Sequence, residues 1–248
     1  MSARAAPWLP GALALLVTFD GAAYDPAGTP DDWPSPMPHM RYGMLLGDRL
    51  ETRFSDSVDA YVWDVQGWYG SGRRRAWLKS EGEGEMGASP ENAEVQLLYS
   101  QLFAPFWDWQ IGLRHDFSPN PELTHAVVGI QGVAPYEFEL DSALFVNELG
   151  DVTARIEAEY NLNITQRLVL QPRVELNAAF SDVGEVGLGS GLTASELGLR
   201  LRYQLAREFA PYIGVSWERL HGETRDIARR AGESGSVTAF VAGVRLWF

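Results

Sequence analysis

Apolar and polar residues alternate with a period of two through most of this chain, from about residue 43 to its C-terminus. In Val152–Leu162 every second residue is apolar or aromatic and the residues between them are charged or polar, and Thr165–Phe180 and Glu196–Leu205 repeat the pattern. Successive side chains of a β-strand point to opposite faces, so this pattern predicts strands with one apolar and one polar face. We find no convincing period of 3.6 residues, and we therefore predict an all-β chain.

The same pattern, followed along the chain, predicts twelve strands. They cover residues 43–54, 58–69, 73–84, 93–104, 106–117, 124–133, 136–147, 152–162, 165–178, 194–205, 209–220 and 237–248. The connections after every second strand are short, and most of the others are longer and polar. An even number of strands with short turns at one end and longer loops at the other is typical of outer-membrane barrels. We predict a transmembrane antiparallel up-and-down β-barrel over residues 42–248.

The charged faces of the strands indicate what fills this barrel. Twelve strands enclose a lumen that is too wide for apolar side chains to fill, and a membrane barrel turns its apolar face to the lipid. We therefore expect arginines and glutamates to pair inside, as a structural ion-pair lattice and not as a catalytic carboxylate pair. The expected members are Arg155, Arg167, Arg173, Arg200, Arg202, Glu157, Glu159, Glu175 and Glu196. Further inward carboxylates, in excess of the cations, are expected at Asp64, Asp108, Glu137, Glu139 and Asp141.

Composition excludes several classes of function. The 33 acidic residues outnumber the 20 Lys and Arg residues, for a formal net charge of −13, which argues against nucleic acid as a partner. The chain has no cysteine, so disulfides, thiolate metal sites and cysteine nucleophiles are excluded. A metal ion would have to be held by His, Met or carboxylate groups.

The first 41 residues differ from the rest. Arg4, the apolar run Trp8–Phe19 and the small residues that follow it have the order of a secretory signal, so we predict a signal peptide over residues 1–23. Five prolines lie between Asp25 and Met40, and they indicate an extended leader over residues 24–41. No run of about 18 consecutive apolar residues is present, so no transmembrane helix is predicted.

Aromatic residues cluster near the ends of the predicted strands, where the aromatic girdles of membrane barrels lie. The final alternating strand ends in Phe248, which carries the C-terminal carboxylate and resembles the strand by which outer-membrane barrels are recognised for assembly. The expected girdle residues are Tyr42, Trp63, Tyr69, Trp77, Phe106, Trp107, Trp109, Tyr136, Tyr160, Tyr212, Trp217, Trp247 and Phe248.

Several short sequence segments, in order along the chain, resemble the copper resistance protein B family of bacterial outer-membrane proteins. The segments are Leu45–Glu51, Val62–Gly70, Trp77–Glu83, Leu97–Ser100, Pro105–Asp108, Gly132–Tyr136, Gly150–Tyr160, Thr165–Glu175, Gly187–Arg202, Phe209–Glu218 and Phe240–Phe248. The resemblance implies a barrel in the outer membrane of a Gram-negative cell, with outer-membrane lipid around it and a role in copper tolerance. It also implies periplasmic copper-handling proteins as partners.

Members of that family commonly carry a long Met- and His-rich region before the barrel, and this chain has only a short one. Thioether groups favour Cu(I) and imidazole also accepts Cu(II), so Met37, His39, Met40 and Met44 are the candidate copper ligands. Weak, transient binding of copper is expected there, because an extended leader does not constrain the geometry of the site.

A second class of function is an outer-membrane hydrolase of the phospholipase type, which would use outward Ser and His side chains. After His115 the nearest serine is Ser118, which is expected in a loop three residues on and not two residues on along the same strand face. Loop or interface roles are expected for His115, His125 and His221. We therefore favour a non-enzymatic barrel that binds or passes copper ions.

Overall fold

The computed structural model describes residues 41–56, 58–183 and 187–248. The predicted signal peptide (1–23) and nearly all of the predicted leader (24–41) lie outside these residues. The described part begins at Arg41, directly before the first strand.

Thirteen strands, one short 3₁₀ turn and one α-helix make up the described chain. They are β1 (Tyr42–Ser55), β2 (Ala60–Gly70), β3 (Arg74–Glu85), β4 (Asn92–Ala104), β5 (Trp107–Ser118), β6 (Leu123–Ala134), the turn Pro135–Glu137, β7 (Phe138–Asn147), β8 (Val152–Tyr160), β9 (Leu162–Asn163), β10 (Leu168–Ala179), β11 (Gly191–Tyr203), β12 (Phe209–Leu220), α1 (Gly222–Ala231) and β13 (Ser236–Trp247).

The strands form one closed antiparallel sheet. Each strand pairs with the next along the chain, and β13 returns to pair with β1, with Phe240 opposite Phe54. β8 and the two-residue β9 both pair with β10 and together act as one strand. The predicted twelve-stranded up-and-down barrel is therefore confirmed, and the observed strand ends lie close to the predicted ones.

The two ends of the barrel differ in their connections. At one end, the turn end, the strands are joined by residues 71–73, 105–106, 135–137, 164–167 and 204–208. At the other, the loop end, the connections are residues 56–59, 86–91, 119–122, 148–151, 180–190 and 221–235. The two longest connections lie side by side at the loop end, where Gly189 N donates to Thr224 Oγ1 at 3.0 Å.

The helix α1 lies in the longest connection of this all-β fold, and the sequence pattern did not predict it. Its sequence is mostly polar, and Thr224 and Ala228, one turn apart, are its only buried residues. An apolar stripe this short leaves no periodic signal in the sequence. The helix ends at Gly232, whose φ of 90° is the left-handed conformation that favours glycine at this position. Among the described residues, no helix is long and apolar enough to cross a membrane.

The strands turn their apolar faces outward and their polar faces inward. Leu97, Leu113 and Val128 are more than half exposed on the outer surface, whereas the side chains of Arg173 and Arg200 are almost completely buried inside. This is the inverse of a soluble barrel and the arrangement of a transmembrane one. The polar interior also contains a small apolar cluster, formed by Trp77, Leu98, Val127 and Phe145.

The aromatic girdle is observed at the turn end. Its most exposed members are Tyr42, Tyr69, Phe106, Tyr136 and Phe248. The prediction was wrong for two residues: Trp77 and Tyr212 are each 6% exposed and face the lumen. Each lies an even number of residues from a side chain that points into the lumen, Trp77 from Lys79 on β3 and Tyr212 from Ser216 on β12, so each points inward too.

Candidate functional site: the lumen

Glu51 is the centre of one cluster of charges in the lumen. It accepts two hydrogen bonds from Arg200, both of 2.9 Å, one from the Tyr212 hydroxyl at 3.0 Å and one from Arg53 at 3.2 Å. Arg53 also binds both carboxylate oxygens of Glu196, at 3.0 and 3.1 Å. β1 and β11 are not neighbours in the sheet, so these contacts cross the interior of the barrel.

Arg173 is the centre of a second cluster. Its Nε donates to Glu157 at 2.7 Å and its terminal nitrogen donates to Glu175 at 2.9 Å. Glu159 lies 3.2 Å from the same Nε, and Glu196 lies 3.7 Å away, which links this cluster to the first. A guanidinium group that is 2% exposed is thus surrounded by carboxylates, as a buried charge requires.

A third cluster lies between β3, β4, β5 and β8. Arg155 binds Glu81 and Glu94, each at 2.9 Å, and Arg114 binds Glu94 at 2.8 Å and Asp116 at 2.6 Å. The guanidinium groups of Arg114 and Arg155 also lie over the Phe145 ring, at 4.7 and 5.7 Å from its centroid. This cluster continues the lattice across the lumen.

The expected lattice is therefore present, with different partners in places. Arg200 binds Glu51 and Arg202 binds the amide oxygens of Gln171 and Asn161. Arg167 and Glu137 were wrongly placed inside: both lie in turns and are exposed. The strands start later than predicted at these two positions, so the alternation does not extend to them.

The remaining predicted carboxylates face the lumen. Asp64 lies 3.4 Å from Arg49, Asp108 binds Arg75 at 3.2 Å, and Asp141 accepts from Lys79 at 2.5 Å. Glu139, at the turn end, accepts a hydrogen bond from Asn161 at 3.0 Å. Through the interior, these pairs join β1 to β2, and join β3 to both β5 and β7.

The loop-end half of the lumen encloses a cavity of about 350 Å³. Its lining includes the charged clusters around Arg155 and Arg53, and also two glutamates with little compensation. Glu83 is 3.9 Å from Arg53, and within the described ranges Glu218 has no cation at salt-bridge distance. The carboxyl groups in the cavity lining outnumber its arginines by seven to four.

Of the predicted copper ligands, Met37, His39 and Met40 lie outside the described residues. Met44 lies in β1, near the turn end, opposite Trp68, which packs against the apolar cluster inside the barrel. Met44 therefore faces the lumen, where it is half-buried. In the part of the chain that the structure describes, no group of three or more His, Asp or Glu side chains is arranged to hold a metal ion.

The histidines have local structural contacts. His115 Nδ1 is 3.0 Å from Thr124 Oγ1, and Ser118 Oγ donates to the Pro90 carbonyl, so the two residues of the hydrolase alternative do not meet. His125 faces the lumen 3.8 Å from Asp116, and His221 Nε2 lies 2.8 Å from Ser195 Oγ directly before α1.

A family model described as copper resistance protein B precursor (CopB) matches residues 41–248, which is the whole barrel. The chain belongs to the copper resistance protein B family. It is 47% identical to copper resistance protein B of Escherichia coli over 205 residues, which cover 83% of this chain and 69% of that protein. It is 41% identical to a copper resistance protein B homolog of Pseudomonas syringae pv. tomato over 204 residues, covering 82% of this chain and 69% of the homolog. The predicted family is confirmed.

Solved porins share the fold of this barrel. The NanC porin has a TM-score of 0.53 at 14% identity and covers 82% of this chain and 98% of its own. The KdgM porin has a TM-score of 0.51 at 12% identity, covering 84% and 99%. At these identities the likeness concerns fold alone. The likeness confirms the barrel fold, and the family match indicates a non-enzymatic protein.

Half of the charged lattice was missed from the sequence. Arg49, Glu51, Arg53, Glu81 and Glu94 are central to it. Inward and outward side chains do alternate on these strands. The alternation of polar and apolar residues is hard to follow in the sequence, because β3 contains glycines and β1 has a register shift between Gly47 and Arg49. One pattern in the sequence could have indicated the inward face of β4. Its polar residues Glu94, Gln96 and Ser100 are spaced by two and four residues and so lie on one face.

Proposed function

We propose that this protein acts in copper resistance as a barrel in the outer membrane of a Gram-negative cell, where it binds or passes copper ions. The observation that carries the proposal is the family match over the whole barrel. The apolar outer surface and the turn-end aromatic girdle support a position in a lipid bilayer, since both complement its hydrocarbon and interfacial layers.

In this proposal the barrel supplies an electric field that attracts the cation. Uncompensated carboxylates in a low-dielectric cleft concentrate cations by electrostatic focusing. Glu83 and Glu218, in the loop-end cavity, have this character. Copper is the transported or bound ion in this proposal. The carboxylates between the cavity and the turn end are closely paired with cations, so few of them are free to bind copper.

The leader supplies the selectivity for copper. Met37, His39 and Met40 offer two thioethers and one imidazole within four residues, and these ligands suit copper better than carboxylates do. The leader joins β1 at the turn end, and short turns face the periplasm in such barrels. Met44 faces the lumen at the same end, and in this proposal the turn end is where periplasmic copper-handling proteins exchange copper with the barrel.

Growth of a deletion strain in graded copper tests the proposal. The intact gene should restore tolerance, and a gene lacking residues 24–40, or one with Met37, His39 and Met40 all replaced by Ala, should restore less. Met86→Ala is the matched control, because Met86 is an exposed thioether in a loop-end connection and is not part of the leader. Equal rescue by all the genes would refute the role of the leader, and no rescue by the intact gene would refute the role in copper resistance.

Location is tested separately by membrane fractionation of the same strains. The protein should sediment with outer membranes and should change its mobility on heating in detergent, because a closed barrel unfolds only at high temperature. Recovery in the soluble periplasmic fraction would refute the outer-membrane position.

A further inference from the structure

A cleft of about 290 Å³ lies outside the lumen, at the loop end of the barrel. It is formed where the top of β12, the helix α1 and the start of β13 meet. Three of its lining residues are arginines: Arg219 from β12, and Arg225 and Arg229 from α1. Trp217 and the segment Ser234–Ser236 complete it. The proposed copper function uses none of these residues.

The position of the cleft relative to the apolar surface is defined by β12. Outward side chains on this strand follow the order Ile213, Val215, Trp217 and Arg219 toward the loop end. Ile213 and Val215 are about half exposed on the apolar outer surface. Alternate residues of a strand are about 6.8 Å apart, so Arg219 lies one such step above the tryptophan and two above the last valine. A bilayer has its hydrocarbon, interfacial and headgroup layers in the same order, and these would contact the apolar residues, the tryptophan and the arginine in turn.

The three arginines have fewer carboxylate partners than the arginines at the centres of the lumen clusters. Arg225 Nε is buried without a hydrogen-bond partner, and the nearest carboxylate oxygen, on Asp226, is 3.8 Å away. Within residues 41–56, 58–183 and 187–248, Arg219 and Arg229 have no carboxylate at salt-bridge distance. Arg173, in contrast, contacts four carboxylates. A chain with a net charge of −13 thus keeps three cationic groups around one unfilled cleft.

The local structure brings these groups together. Arg225 and Arg229 are four residues apart, so they lie on the same face of α1. Gly235 lies against them: a Cβ atom at this position would be 2.8 Å from Arg225 Cγ and 3.6 Å from Arg229 Nε. The Trp217 indole is held by a hydrogen bond from its Nε1 to Ser236 Oγ at 3.0 Å. Glycine at 235 therefore keeps the cleft open, and Trp217 forms its apolar side.

We propose that this cleft binds a phosphate group carried by a glycolipid of the outer leaflet, an inference that rests on the proposed outer-membrane position. Guanidinium groups bind phosphate oxygens by paired, charge-assisted hydrogen bonds. A lipid-borne phosphate fits better than a free one, because the apolar column of β12 continues directly below the cleft and offers a surface for acyl chains. The interaction fixes the height of α1 and the loop end at the membrane surface.

Binding of lipid A, a bisphosphorylated acylated glucosamine disaccharide, to the folded full chain in detergent tests the proposal. Native mass spectrometry measures the bound lipid for the wild type and for the triple variant Arg219→Gln/Arg225→Gln/Arg229→Gln. The matched control is Arg74→Gln/Arg167→Gln/Arg207→Gln, which removes the same charge from exposed arginines at or near the turn end. We expect the cleft variant to bind about ten-fold more weakly, the equivalent of about one charge-assisted hydrogen bond, and the control to bind as the wild type does.

A second variant keeps all three charges. Gly235→Ala should displace the Arg225 side chain and weaken binding, although the net charge of the protein is unchanged. Dephosphorylated lipid A should bind equally to the wild type and to all variants. The mobility shift on heating establishes that each variant is folded.

Three results would overturn the proposal: equal binding by the wild type and the cleft variant, an equal loss in the control, or a wild type that does not distinguish the two lipids. Displacement of lipid A by inorganic phosphate at comparable concentration would instead identify a site for free phosphate and overturn the lipid assignment. Since the assay uses purified protein without copper, its outcome is independent of the fractionation and growth experiments that test the proposed function.

Discussion

Glu51 illustrates how a single residue can be buried as a charge inside a barrel. Its side chain is completely buried, and moving a carboxylate out of water costs several kcal/mol. Arg200, Arg53 and Tyr212 donate to it from three positions and offset that cost. The cluster thereby connects β1 to β11 and β12 through the lumen.

Removal of this one carboxylate should destabilise the barrel strongly. Glu51→Ala leaves Arg200 and Tyr212 buried without their acceptor, so we expect the free energy of unfolding in lipid vesicles to fall by about 3 kcal/mol. Urea titration followed by tryptophan fluorescence measures it. Glu137→Ala, at an exposed turn residue, should change stability little. Equal stability of the two variants would show that Glu51 does not hold the lattice together.

In strands with a long, regular alternation, the sequence allowed prediction of which side chains face inward, but not of which charges pair. Arg173 and Arg155 were placed correctly because each lies within a long, regular alternation. The partner of Arg200 is 149 residues away in the chain, and its choice depends on how the barrel closes. Whether a side chain points inward or outward is determined locally, by its position in the strand. Which charges pair across the lumen depends on strand tilt and register around the whole circumference.

At the scale of the element, β13 closes the barrel. It pairs with β12 on one side and with β1 on the other. The closure extends past the strand: Leu45 N donates to the Phe248 carbonyl and Phe248 N donates to the Leu45 carbonyl, both at 2.9 Å. Phe248 thus adds two backbone hydrogen bonds to the seam, and the residue is 68% exposed.

We expect both the ring and the backbone of Phe248 to contribute to assembly. Phe248→Asp keeps the two backbone hydrogen bonds but places a charge in the turn-end girdle, and deletion of Phe248 removes both features. Each change should lower the amount of heat-modifiable protein in the membrane, and the deletion should lower it more. Phe180→Asp is the control, because Phe180 is equally exposed but lies at the loop end. Unchanged yield for Phe248→Asp would contradict the role of the ring.

The elements differed in how well the sequence predicted them. Each strand contacts lipid with one face and the polar lumen with the other, so the alternation is strong and all twelve were found. The helix α1 packs on its neighbours through only two buried residues, so no comparable pattern marks it. The cleft beside it was missed for the same reason: Arg219 and the two helix arginines are brought together only by the fold of the longest loop.

At the scale of the whole molecule, the lumen has two unlike halves. The loop-end half holds the cavity, with Glu83 and Glu218 incompletely compensated. Toward the turn end, Gln96, Ser100, Gln110 and Arg202 are each 4% exposed or less, so side chains fill the space between the strands. A wide aqueous channel such as that of a general porin requires a lumen free of such packing.

This asymmetry predicts small, cation-selective currents in planar bilayers. The packed half limits conductance, and the carboxylates of the cavity raise the local concentration of cations relative to anions. Glu83→Gln/Glu218→Gln should shift the reversal potential in a salt gradient toward zero without opening the lumen, because neither residue belongs to the packed half. Glu122→Gln/Glu148→Gln removes the same charge from exposed loops outside the cavity lining and should leave the reversal potential nearly unchanged. A large, unselective conductance in the wild type would contradict the packed lumen, and an equal shift in both variants would mean that the general charge of the loop end, and not the cavity, sets the preference for cations.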